Sequence, residues 1–149
     1  MSDLVAVDLD LDIARFRHLV GKLSRQLRTI DAASGLTPTQ SSVLGTVVRF
    51  GRMALSEVAR EEGINATLLS RSIGTLESRG LVRRTTDERD RRAAWLEPTP
   101  SGRRLVRRVR DARSDVLRGQ VDLLDATDRQ RLAAVVPVLE LLVDRLNDA

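Results

Sequence analysis

Residues 66–75 read Ala-Thr-Leu-Leu-Ser-Arg-Ser-Ile-Gly-Thr, one guanidinium set among small polar groups. At helical spacing Leu69, Ile73 and Leu76 share an apolar face. The opposite face then carries Thr67, Leu68, Ser70, Arg71, Ser72, Gly74 and Thr75. Such a face is slim enough to press into the major groove of a duplex. Arg71 can offer a two-pronged donor to O6 and N7 of a guanine. The hydroxyls of Thr67, Ser70 and Ser72 suit phosphates or base edges, and Leu68 or the Thr67 methyl suits a thymine methyl. An ordinary amphipathic helix with a solvated polar face would have the same pattern.

A second cluster, Asp87-Glu88-Arg89-Asp90-Arg91-Arg92, lies between two short apolar runs. Arg89, Arg91 and Arg92 fit a narrow, electronegative minor groove. Asp90 opposes a polyanion by charge, so its expected role is to orient a neighbouring arginine. A solvated loop of mixed charge is the alternative. The two clusters in this order favour the duplex reading over either alternative taken alone.

Charge is localised as well. Residues 79–118 hold 13 arginines against six acids, whereas the rest of the chain is net acidic. A basic third on an acidic chain suggests a polyanion-facing surface. Within it Arg103, Arg104, Arg107, Arg108, Arg110 and Arg113 spread around a helix, where solvation and pairing with Asp111 and Asp115 are the default. Catalytic chemistry has little material. Cysteine is absent, which removes disulfides, thiolate catalysis and Cys-zinc sites. There is one His and no Tyr, and no acid pair sits in a distinctive motif. No cofactor or metal site is expected. His18 is a candidate effector contact or a partly exposed or packed helix residue, and Trp95 reads as core or hairpin packing rather than a ligand cage.

These clusters need elements to hold them. Ile13, Phe16, Val20, Leu23, Leu27 and Ile30 stripe a first helix that Gly35 is expected to end. Thr37-Pro38-Thr39-Gln40 predicts an N-cap, a proline in the first turn and a capping box. Val43, Leu44, Val47 and Val48 are its buried face, and Gly51 stops it. Residues 55–64 form a short helix broken by Gly63, with Asn65 capping the next helix and Gly80 just past its end. Two short helices with a tight turn are a helix-turn-helix. Residues 81–85 and 93–97 are the strands of a hairpin. Thr99-Pro100 starts a long helix striped by Leu105, Val109, Ala112 and Val116. A last helix, residues 128–147, contains Pro137, which should bend it.

The chain has 149 residues, 42% apolar and 31% charged, enough for a core and without an apolar run long enough to span a membrane. The acidic N-terminus lacks the layout of a signal peptide, so a cytoplasmic location is expected. The fold class is mainly α with a small β-hairpin. Residues 1–35 form an N-terminal dimerisation helix, 36–98 a winged helix-turn-helix region, and 99–149 the C-terminal helices that complete the dimerisation region. The apolar stripes of the terminal helices exceed what a small winged core can cover, which calls for a partner; packing on each other is the alternative.

The ordered set of motifs resembles the MarR family of bacterial winged-helix transcription regulators over nearly the whole chain. The matching pieces are Leu36-Thr37-Pro38-Thr39-Gln40 with Val43-Leu44, Ser56-Glu57-Val58-Ala59, and Leu68-Leu69-Ser70-Arg71. They continue with Leu76-Glu77-Ser78-Arg79-Gly80-Leu81-Val82, Arg84, Asp87-Glu88-Arg89-Asp90-Arg91-Arg92 and Thr99-Pro100-Ser101-Gly102. The resemblance implies a homodimeric repressor of a pseudo-palindromic DNA operator, with residues 66–79 in the major groove. It places the hairpin tip in the minor groove, with Arg92 at the family's wing-arginine position. It also implies release by a small aromatic or phenolic effector, with a constitutive member that has no effector as the alternative. Pro98 and Pro137 depart from the family pattern. A winged-helix module that binds protein rather than DNA is the competing function.

Overall fold

The computed structural model describes residues 12–86 and 94–147. Two compact units divide inside a helix, between Val109 and Arg110. The first unit starts with helix α1 (Ile13–Asp31), a single 3-10 turn (Ala32–Ser34) and α2 (Pro38–Phe50). Strand β1 (Met53–Ala54) leads into α3 (Leu55–Glu62) and α4 (Ala66–Ser78). Strands β2 (Val82–Thr86) and β3 (Ala94–Pro98) follow, and then α5 (Pro100–Asp122) crosses the boundary into the second unit with α6 (Ala126–Asn147). The expected class is observed: among the described residues, six α-helices with a small antiparallel sheet of order β1-β3-β2.

Local chemistry accounts for the element starts. Gln40 N–H donates to Thr37 Oγ1 while Thr37 N–H donates to Gln40 Oε1, with Pro38 in the first turn, so the capping box forms as expected. Asn65 Oδ1 accepts Leu68 N–H at 2.8 Å and starts α4. Asp125 Oδ1 does the same for α6 through Asp128 N–H. Between α3 and α4 the chain reverses at Gly63, whose φ of 61° places it in the left-handed region. Ile64 N–H reaches back to Ala59 O, closing the helix end as a Schellman turn.

The core belongs to the first unit. Val43, Leu44 and Val47 of α2, Val58 of α3, Leu69, Ile73 and Leu76 of α4, and Leu96 of β3 are buried together with Leu36, Leu81, Val82 and Leu105. Each full burial of a Leu or Ile is worth about 1.5–3 kcal/mol before ordering costs. Val48, Ala59 and Ile64 pack against this core only partly buried. In the second unit no described residue is buried.

One expectation shifts, and two details are added. The first helix ends at Asp31, four residues before Gly35, because the chain tightens into the 3-10 turn. Met53-Ala54, too short to read as a strand, becomes one through antiparallel pairing with Leu96 and Trp95. Pro98 ends β3 opposite Val82, where a strand terminus tolerates its missing donor.

The start of α5 explains Thr99-Pro100-Ser101-Gly102. Thr99 N–H donates to Leu81 O at 3.1 Å, Thr99 Oγ1 donates to Gly80 O, and Gly102 N–H returns to Thr99 Oγ1. Gly102 lies so close that a Cβ there would stand 2.1 Å from Leu81 O and 3.2 Å from Leu44 Cδ1. Gly102→Ala is therefore expected to destabilise the protein by about 1–3 kcal/mol or more. Urea unfolding should show a lower midpoint with an unchanged m-value.

Candidate nucleic-acid interface

The apolar stripe of α4 is buried, so its other side must face outward. Thr67, Leu68, Ser70, Arg71 and Gly74 are exposed, and Thr75 is half-buried. Thr75 Oγ1 donates to Arg71 O within the helix. Ser72 corrects the sequence reading: it is only 4% exposed. At 100° per residue it falls beside Leu69 and Leu76 rather than beside Arg71. The exposed face is accordingly Thr67, Leu68, Ser70, Arg71 and Gly74, with Thr75 at its edge.

Among the described residues Arg71 is the free cation of this face: its guanidinium makes no hydrogen bond or ion pair with any of them. Arg84 and Arg79, by contrast, are engaged. Arg84 lies 4.0 Å from Glu77 Oε2 through Nε, and its backbone N–H donates to Glu77 Oε1 at 3.0 Å. Glu77 thus fastens the end of α4 to the start of the hairpin. Arg79 donates to the carbonyls of Ser34 and Gly35.

The hairpin stem has its own bracing. Val82, Arg83, Arg84, Thr85 and Thr86 pair with Pro98, Glu97, Leu96, Trp95 and Ala94. Glu97 is held by Arg83 at 2.8 Å and by Arg52 at 3.3 Å. The hydrogen bond from Arg83, aided by the positive charges of Arg83 and Arg52, keeps its carboxyl below the usual carboxylate range. Arg52 also stacks over the Trp95 ring, 4.8 Å from its centroid. Trp95 therefore belongs to hairpin packing, as its position suggested. The tip residues Arg89, Asp90, Arg91 and Arg92 lie outside the described residues.

A cavity of about 310 Å³ opens between α3, α4 and β2, with Leu55, Ala59, Leu69, Ser70, Ile73 and Arg84 among its walls. His18 is exposed on α1 and is not part of that wall. Among the described residues no group of three or more His, Asp or Glu is placed to hold a metal, and no helix is long and apolar enough to cross a membrane.

The sequence reading missed Glu77 and Arg79 as organisers of this face. Glu77 carried a local signal, an acid one turn before the strand. Arg79 carried none, because its partners lie 44 and 45 residues upstream.

Known proteins share this fold. The MarR family model matches residues 34–93. The HTH-type transcriptional regulator MT0903.1 of Mycobacterium tuberculosis is 30% identical over 140 residues, covering 94% of this chain and 93% of that protein. The HTH-type transcriptional repressor MdtR of Bacillus subtilis is 26% identical over 101 residues, covering 68% and 63%. Among solved structures, transcriptional regulator Tm0710 of Thermotoga maritima superposes with a TM-score of 0.76 at 20% identity, covering 91% of this chain and 96% of that one. A MepR mutant of S. aureus bound to an oligodeoxyribonucleotide has a TM-score of 0.70 at 18% identity, covering 88% and 95%. A slim capped helix braced against a charged hairpin, on a chain this similar to helix-turn-helix regulators, places the protein in the MarR family of transcriptional regulators.

Proposed function

We propose that the chain is a homodimeric repressor that binds a pseudo-palindromic operator and acts by binding rather than catalysis. Arg71 carries the reading: a guanidinium without a partner among the described residues, on an exposed, small-residue helix face, while Arg79 and Arg84 are engaged. An arginine so placed reads guanine, while Thr67 and Ser70 contact phosphate or base edges and Leu68 meets a thymine methyl. The DNA-bound MepR structure and the named repressor MdtR support DNA binding and repression in relatives. Arg89, Asp90, Arg91 and Arg92 are the minor-groove contacts of the proposal, with Asp90 orienting an arginine. Binding is to chromosomal DNA in the cytoplasm.

Dimerisation is supported by surface that one chain leaves uncovered. On α1, Ile13, Leu19, Val20 and Leu23 are each about half exposed or more. On α6 the exposed apolar side chains spread well beyond one stripe, from Leu132, Val136 and Leu139 to Val138 and Leu141. A helix apolar on most sides is one that expects to be buried. A second copy covers both helices and sets two α4 helices about one DNA turn apart, roughly 34 Å. Release by a small aromatic or phenolic molecule completes the proposal. That ligand must bind better to the spacing that does not fit DNA.

Sedimentation should give twice the 16.5 kDa chain mass at micromolar concentration; a lone subunit contradicts the dimer. Selection from randomised DNA should recover an inverted repeat with half-sites centred roughly 10 base pairs apart. Weak, sequence-independent binding would point to a protein-interaction module instead. Arg71→Ala should cost about 1–3 kcal/mol and relax preference at one base pair per half-site. Ser72→Ala should leave base preference unaltered. Changing Arg91 and Arg92 together to Ala should weaken binding across sequences and flatten its salt dependence. Titrations of the recovered repeat at several salt concentrations check all three.

A further inference from the structure

Arg79 caps the wrong helix. It follows α4 at the C-cap, yet its guanidinium donates through Nη1 to Gly35 O and through Nη2 to Ser34 O, both at 2.9 Å. Those carbonyls lie just beyond α1, in the turn that leads to α2. Carbonyls past a helix end have no partner in that helix, so an arginine fork suits them. The turn is stiffened from within as well. Ser34 Oγ donates to Asp31 O and accepts Leu36 N–H.

The same stretch grips α4. Arg79 N–H donates to Thr75 O, Gly80 N–H to Glu77 O, and Leu81 N–H to Leu76 O. The backbone carrying the guanidinium therefore belongs to the end of α4, and both carbonyls it holds belong to the end of α1. Two bonds from one planar group resist sliding and rotation together, which a single bond does not.

We infer that Arg79 is a positioning residue: it bolts the recognition helix to the α1 end, so that the register set by α1 pairing reaches both copies of α4. This rests on the dimeric, operator-binding reading above. Arg79 itself need touch no DNA. It acts on the distance between two reading heads, and its loss should cost the advantage of engaging two half-sites at once. Affinity for one half-site should be spared.

The test uses the full chain. Cysteine is absent, so Glu61→Cys on the exposed side of α3 gives one spin label per copy. The parent should give a single narrow distance distribution between labels, and Arg79→Ala should lose that narrow peak while remaining dimeric. In parallel, Arg79→Ala should forfeit about tenfold or more of the preference for the complete repeat over a half-site. Its salt slope should match the parent's, whereas loss of a direct phosphate contact would lower that slope by about 1. No label–label coupling in the parent overturns the dimer reading, and this inference with it. A narrow parent peak that survives in Arg79→Ala overturns this inference alone. So does an equal loss on half-site and repeat, which marks a merely structural role, or a lowered salt slope, which marks direct contact.

Discussion

The carboxyl end of α4 is the point on which the molecule turns. Within a few residues Leu76 and Leu81 close the helix by a backbone hydrogen bond, and Glu77 takes the backbone of Arg84. Leu81 O and Gly80 O receive Thr99. Three elements, α4, the hairpin and the long α5, leave from one hydrogen-bonded junction. Most of its bonds use backbone groups, which cannot change rotamer. The direction of α4 relative to the hairpin stem follows from that junction.

Packing adds the second constraint. Gly102 lets α5 lie against Leu81 O and Leu44 with no room for a methyl group. Leu69, Ile73 and Leu76 are buried so completely that the face carrying Arg71 has only one way to point. Among the described residues Arg52, Arg83 and Arg84 are held by carboxylates and Arg79 by carbonyls, whereas the exposed Arg71 guanidinium, opposite the buried stripe, has no such partner.

Much of this was legible in the residues because it is local. Thr37 with Gln40, Asn65 and Gly63 each act within one turn of helix, and their roles follow from side-chain reach and allowed dihedrals. Where contact depends on distant chain, the sequence was silent or misleading. β1 exists only through β3, and Arg79 finds partners more than forty residues away. Ser72 was misplaced for a geometric reason. A polar residue at the edge of the core stripe, three after Leu69 and four before Leu76, reads as exposed by type and as buried by angle, and here the angle prevails.

Hydroxyl-radical footprinting of the operator complex tests the central claim most directly. Two copies of a rigid junction should protect the duplex in two equivalent patches related by a dyad and separated by about one helical turn. Continuous protection without a dyad, or a single patch, would contradict the claim that paired α4 helices read the DNA.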